Sequence, residues 1–152
     1  MQDLVDLVFG TYSSWSHLVV RIVLGIVFFA HGAQKTFGWF GGRGLSATIA
    51  GFRQMNIPPA ATAIAAFTEC FGGLAMIVGF LARPAALGLI VVMLVAVAKV
   101  HAQHGFFLNF ALTPGKGHGY EFNLVLIAMS LSILIGGAGA FSIDRLIAPF
   151  GG

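Results

Sequence analysis

Four long apolar segments dominate the sequence and restrict what the chain can fold into. They cover approximately residues 17–37, 60–81, 84–102 and 121–139, and each is close to the ~20 residues that a helix needs to cross a bilayer. Only 9% of the residues are charged, whereas a typical soluble domain has about 25%. Polar groups therefore cannot cover the surface. The sequence predicts an all-α membrane protein, a four-transmembrane-helix antiparallel bundle in contact with the lipid bilayer.

The connections between these segments predict how the helices are arranged. The connection at 81–83 is very short, so the second and third spans form a tight antiparallel hairpin. The two other connections, 38–59 and 103–120, are long and contain glycine, proline and aromatic residues. Both emerge on the membrane face opposite the termini. Within the first of them, the stretch GLSATIAGFRQMNIPP places its apolar residues on one helical face, which predicts an interfacial amphipathic helix between spans 1 and 2.

Charge and cysteine content exclude several classes of function. The net charge of +3 is small and spread along the chain, and no basic run or nucleic-acid-binding motif is present, so we expect no nucleic acid partner. Cys70 is the single cysteine and cannot form an internal disulfide or a C-x-x-C relay. The first ten residues lack the basic region of a signal peptide. We expect one multi-pass membrane domain over residues 1–152.

Ionisable residues inside the spans indicate where a site would form, because such residues usually face the bundle interior or a wet cavity. At 100° per residue, Arg21 and Lys35 share one seam of the first span, with His31 at its edge. Arg21 lies nearer the terminal side of the membrane. A rise of ~1.5 Å per residue brings the other groups into one leaflet: His31, Lys35, Glu69, His101, His104 and Glu121. This predicts a polar pocket in that leaflet, roofed by the two long connections.

A series of short motifs resembles a known family. The first span and its loop contain HGAQK and GWFGG, the second span contains TECFGGLAMIVGFLARPAAL, and HAQHGFF, GYEFN and GGAGAFSID follow. In order and spacing the chain resembles the DoxX family of small four-helix bacterial membrane proteins over about residues 19–146. A relative is a subunit of an archaeal thiosulfate:quinone oxidoreductase, so the resemblance implies a role in redox chemistry. It also implies the polar positions Arg21, His31, Lys35, Glu69, Arg83, His101 and Glu121.

The resemblance and the pocket together favour a quinone-interacting subunit of an oxidoreductase. His31, Lys35 and His101 would donate hydrogen bonds to the quinone head, and Glu69 or Glu121 would carry protons. The candidate catalytic residues are Glu69, His31 and Lys35. The candidate cofactor-binding residues are Arg21, His31, Lys35, Trp39, Glu69, His101 and Glu121. Because the chain has no flavin or nucleotide motif, the electrons would come from a substrate or a soluble redox partner protein.

Two other interpretations of the same residues stay open. In the first, a His31–Glu69 hydrogen bond and a Lys35–Glu121 ion pair only fix the helix register, with no ligand bound. In the second, the pocket holds a metal, because HAQH places two histidines three residues apart on one helical face and HGYE has the same spacing, or it holds haem between His31 and His101. We expect no metal site, because these motifs lie near the water interface and their spacing is common by chance.

The role of the whole protein also has alternatives. One is a non-catalytic membrane anchor that gathers soluble redox or stress-defence enzymes. Another is a small-solute transporter, which four spans without an internal repeat would form only as a homo-oligomer. The sequence leaves the cofactor and the enzymatic status undecided. The family resemblance implies a location in the bacterial inner (plasma) membrane.

Overall fold

The structure, a computed structural model, describes residues 2–148, and every regular element in that range is helical. The α-helices are α1 (Gln2–Phe9), α2 (Trp15–Thr36), α3 (Gly44–Arg53), α4 (Pro59–Val78), α5 (Ala82–Ala96), α6 (Glu121–Gly136) and α7 (Ile143–Ile147). A π-helical turn (Val97–His101) and a short 3₁₀ turn (Ala102–His104) extend α5. The prediction of an all-α membrane protein is confirmed, and α3 forms in the connection where an amphipathic helix is predicted.

The number of membrane spans is confirmed only in part. Three helices in the described part of the chain are long and apolar enough to cross a bilayer, namely Trp15–Thr36, Pro59–Val78 and Ala82–His104. The fourth apolar helix, α6, has 16 residues. It ends before the predicted limit of 139 because Gly137 adopts a left-handed φ of +79°, which stops the helix. A fourth crossing therefore stays a prediction.

The predicted hairpin between the second and third spans is present and has a defined stop and start. Gly79, with φ +68°, ends α4 and returns its N–H to the last turn of the helix. Leu81 then precedes α5. The N–H groups of Leu81 and Ala82 both donate to the carboxylate of Asp144, which occupies the position of a helix N-cap acceptor. The C-terminal helix α7 thus holds the start of α5.

Helices α2 and α4 are in very close contact because glycines lie between them. A Cβ added to Gly32 would lie 2.2 Å from the backbone nitrogen of Cys70, and one added to Gly73 would lie 2.3 Å from the nitrogen of Phe29. Only residues without a Cβ permit this separation. The contact fixes the register of α2 on α4, and Lys35, less than one turn beyond Gly32, comes to lie beside α4.

The bundle has two halves that differ in what closes them. We use "loop half" for the half that carries the connections 37–58 and 105–120. We use "terminal half" for the half closed by α1, by the segment 137–142 and by α7. Helix α1 is an element that the hydropathy pattern did not predict. Apolar side chains fill the space between the helices, and the largest of those in the core are Leu24, Phe28, Met76, Leu89, Met93, Leu126 and Ile133.

Candidate functional site

A cavity of about 750 Å³ lies in the loop half, between α2, α4, α5 and α6. Most of its walls are apolar, with Phe28, Met93 and Leu126 among the buried contributors. The roof comes from the end of α3 and from both long connections, through residues such as Phe52 and Leu108. The location matches the pocket predicted from the depth of the polar residues. The polar side chains that line it are His31, Lys35, Thr62, Glu69, His101, His118 and Asn123.

The centre of the polar lining is an ion pair between Lys35 and Glu69. The Lys35 Nζ lies 2.6 Å from Oε1 and 2.5 Å from Oε2 of Glu69. The Glu69 side chain is 3% exposed and the Lys35 side chain 28%, so Lys35 is the more accessible partner, and it lines the cavity. An ammonium has three N–H donors, and two of them satisfy the carboxylate. One donor is therefore available to a ligand.

His31 lies one helical turn before Lys35 and lines the same cavity. Its ring takes part in no hydrogen bond or ion pair within residues 2–148, and the residue is exposed. The predicted His31–Glu69 hydrogen bond is wrong, since in the described chain the side-chain partner of Glu69 is Lys35. The close contact at Gly32 brings Lys35, rather than His31, to the carboxylate. A free imidazole beside a satisfied ion pair is suited to binding a ligand.

His101 and His118 line the cavity from the side of the second connection. His101 Nδ1 lies 2.9 Å from the backbone oxygen of His118, so Nδ1 carries the proton and donates it. His118 Nδ1 accepts a hydrogen bond from the backbone N–H of Asn109 at 3.2 Å. In the neutral rings, Nε2 of His101 is then an acceptor and Nε2 of His118 is a donor. The π-helical turn that ends at His101 is a feature often found at functional sites.

Asn123 is a residue of the cavity wall that sequence reasoning missed. It is 6% exposed, and its Nδ2 donates to Met93 Sδ at 3.4 Å, which leaves the amide oxygen without a partner among the described residues. The signal was present in the sequence, because Asn123 is an uncharged polar residue within an apolar span and lies two positions after Glu121. Thr62, also in the wall, uses its hydroxyl on the Pro58 carbonyl.

Three predicted site residues lie outside the cavity, and two of them, Glu121 and Trp39, are in the loop half. Glu121 Oε1 accepts a hydrogen bond from the Leu108 N–H at 2.7 Å, and the carboxylate thus holds the second connection in place. The predicted Lys35–Glu121 ion pair is wrong, because Lys35 is engaged with Glu69. Trp39 is 54% exposed and packs its ring on Phe37, 5.1 Å between centroids. Glu121 therefore has a structural role, and Trp39 lies at the surface.

Arg21 is also predicted as a ligand-binding residue, and it lies in the terminal half, away from the cavity. It is fully buried. Its five N–H donors reach five backbone carbonyls, at 2.7–3.2 Å, and every donor of the guanidinium is used. The acceptors are the carbonyls of Met76, Ile77, Ala138, Ala140 and Phe141. Arg21 thus joins α4 to the segment 137–142.

Asp144 and Arg83 complete the polar cluster of the terminal half. Asp144 is 1% exposed, and burial raises the pKa of its carboxyl. Hydrogen bonds from Ala82 and Leu81 and the charges of Arg21 and Arg83 oppose this rise. Arg83 donates to the carbonyls of Gly10 and Leu134. Sequence reasoning gave Arg83 only as a family position and missed Asp144, whose burial follows from the way α7 packs.

The metal hypothesis receives no support from the geometry. Across residues 2–148 no three His, Cys, Asp or Glu side chains lie close enough to hold a metal ion. The ring of His104 lies against Gly117, where an added Cβ would be 2.4 Å from Nε2. The two histidines of HAQH are therefore separated in role, since His101 lines the cavity and His104 packs beneath the connection. Cys70 is free and buried at the contact between α2 and α4.

Comparison with known proteins gives one family assignment. The sequence model of the DoxX family matches residues 16–102, which is more than half of the chain and runs from the first turn of α2 to the end of the π-helical turn. The match thus includes the Lys35–Glu69 ion pair, His31 and His101. No curated protein and no solved structure matched the chain.

Proposed function

The chain belongs to the DoxX family, and on that premise we propose that this multi-pass membrane protein is the quinone-binding component of a redox system. The cavity of the loop half is the proposed site. We place the protein in the bacterial inner membrane, where a soluble redox partner would supply the electrons.

The observation that carries the proposal is the division of the cavity into an apolar body and a polar end. A quinone head is a flat apolar ring with carbonyl oxygens that require hydrogen-bond donors. Sites for such ligands are mostly apolar, with a few polar groups that fix the orientation. The third N–H of Lys35 and the unpartnered ring of His31 supply donors at one position. His118 supplies another through Nε2.

Proton transfer needs groups that change protonation next to the ligand. Glu69 is almost completely buried and is held by Lys35, and in this proposal its carboxylate is the group that passes a proton to the reduced head. His31 and His101 line the cavity and have ring nitrogens not used by the protein. In this proposal Glu69, His31 and Lys35 contact the quinone head, and His101 accepts a hydrogen bond from the reduced, hydroxylated form.

The test compares two glutamates, Glu69, which lines the cavity, and Glu121, which does not. The protein is purified in mild detergent, and the binding of a benzoquinone that carries a decyl chain is measured by equilibrium titration of tryptophan fluorescence. Glu69→Gln is expected to weaken binding at least tenfold, which corresponds to about 1.4 kcal/mol. Glu121→Gln keeps an acceptor for Leu108 and is expected to change binding less than twofold.

Several outcomes would contradict the proposal. Absence of binding by the wild type, together with absence of quinone in a solvent extract of the purified protein, would remove it. Equal weakening in the two variants would show that the Glu69 carboxylate has no special role. If quinone is absent and soluble redox enzymes co-purify stoichiometrically, the anchor alternative is the better description of the protein.

A further inference from the structure

The cavity has an apolar opening between α4 and α5. Three aliphatic residues line the cavity there and are at the same time on the outer surface: Ile64 is 67% exposed, Val91 52% and Val95 48%. They lie in the part of the two helices that is long and apolar enough to be in the bilayer. In the membrane this opening faces lipid chains.

The opening arises because α4 and α5 separate along a single pair of faces. Near the hairpin the two helices are in contact, since a Cβ added to Gly88 would lie 3.0 Å from Thr68 Cγ2. Residues three, four and seven positions away lie on the same helical face. On α5 those residues are Val91, Val92 and Val95, and on α4 they are Ala65, Ile64 and Ala61. All six line the cavity, so the faces that touch at Gly88 are apart within two turns.

Two other pairs of helices around the cavity are in tight contact. Helices α2 and α4 meet backbone to backbone at Gly32 and Gly73. Helices α5 and α6 are joined by the buried residues Met93 and Asn123, which are hydrogen-bonded to each other. The roof is formed by the connections. The α4–α5 opening is therefore an apolar route from the bilayer to the polar end of the cavity.

We propose that the ligand is an amphiphile that enters from the bilayer through this opening and leaves its aliphatic tail between α4 and α5. This proposal rests on the proposed function for the polar head and adds a subsite for the tail. The polar head lies against His31 and the Lys35–Glu69 pair. The tail packs on Ile64, Val91 and Val95, where it removes apolar surface from contact with the bilayer at no cost in polar groups. A ligand of this class is supplied by the membrane and not by the aqueous phase.

The experiment compares two benzoquinones with the same head, one with a decyl tail and one without a tail. The full-length protein is reconstituted in lipid nanodiscs, and affinities are expressed per mole fraction of probe in lipid so that partitioning cancels. Val95→Trp fills the opening. Leu94→Trp is the matched control, because Leu94 is the adjacent residue, is similarly exposed at 53% and does not line the cavity.

In the wild type the tailed probe is expected to bind at least fivefold more tightly than the tail-free probe. Val95→Trp is expected to remove this preference and to leave the affinity for the tail-free probe within twofold of wild type, while Leu94→Trp leaves both affinities unchanged. Val91→Trp repeats the test from one turn away, in case position 95 affects folding. Binding of neither probe by the wild type would refute the proposed function itself.

Two results would overturn the tail subsite while the head site stands. Equal affinity of the wild type for both probes would indicate that a membrane lipid chain occupies the opening. An unchanged tail preference in both Val95→Trp and Val91→Trp would show that the tail leaves the cavity by another side.

Discussion

Both halves of the bundle contain buried ionisable groups, but they use them differently. In the terminal half, Arg21 directs all five of its N–H donors to backbone carbonyls, and the Asp144 carboxylate accepts from two backbone N–H groups. In the loop half, Lys35 has a single protein partner, Glu69, and His31 has none in the described chain. A polar group whose hydrogen bonds are all made within the protein stabilises the fold and has no capacity for a ligand. A polar group that lines a cavity and has hydrogen-bonding positions still free retains that capacity.

The two halves also differ in whether a second substitution can compensate for the loss of a charged side chain. The partners of Arg21 are carbonyls of α4 and the segment 137–142, and no single second substitution satisfies them. The partner of Lys35 is one carboxylate, which can be removed with it. The first two predictions use this contrast, and the next two address the helix packing and the electrostatics that support each half.

The largest effect is expected for Arg21→Met. Five carbonyls would lose their donor, three of them in buried contacts, and each unsatisfied buried group costs about 1–3 kcal/mol. We expect a loss of at least about 4 kcal/mol, seen as failure to accumulate in the membrane or as a large fall in Tm in detergent. Arg53→Met, at an exposed position of α3, serves as the control. A normal yield and Tm for Arg21→Met would show that the terminal half does not depend on this network.

A smaller loss of stability, which a second substitution restores, is expected for the ion pair of the loop half. Lys35→Met leaves the Glu69 carboxylate buried without a partner, which we expect to cost about 2–3 kcal/mol, less than for fully buried pairs because Lys35 is partly exposed. The double variant Lys35→Met/Glu69→Leu is expected to regain most of this stability and still to bind no quinone. Additive losses of Tm in the double variant would contradict the view that the two residues act as one pair.

The contact between α2 and α4 is expected to tolerate no side-chain growth. Gly32→Ala places a Cβ against the Cys70 backbone and must push the helices apart, at a cost of about 1–3 kcal/mol, with weaker quinone binding as Lys35 moves from Glu69. Gly51→Ala is the control, since a Cβ there meets no atom within 4 Å. Measurements of Tm and of binding should separate the two variants. Equal behaviour would show that the helix separation is adjustable.

The smallest effect is expected in the pH dependence of the terminal half. Burial raises the pKa of the Asp144 carboxyl, so the native state binds that proton more tightly than the unfolded state. The corresponding stability is complete below the unfolded-state pKa of ~3.9 and is lost as the pH rises through the native pKa. The Tm of the wild type relative to Asp144→Asn should therefore fall as the pH rises above about 4. A rise would show that the hydrogen bonds and Arg21 outweigh burial.

A large part of the site was predictable because depth and angle along a helix follow from residue number. The convergence of His31, Lys35, Glu69 and His101 in one half, beneath two connections, is such a result. The partners were not predictable. A difference of one turn decides whether His31 or Lys35 meets Glu69, and the close contact at Gly32 settles that choice.

The sequence by itself determined that the chain is an all-α membrane protein of the DoxX family, with its short hairpin and its long connections on the opposite face. Hydropathy, segment length and motif order are local properties, and they need no knowledge of packing. Only the tertiary structure decided which ionisable groups make all their hydrogen bonds within the protein and which keep some free for a ligand. Arg21, Trp39 and Glu121 resemble the cavity residues in type, but they lie elsewhere because hydrogen-bond partners depend on how distant segments meet. Asp144 and Asn123 acquired their roles for the same reason.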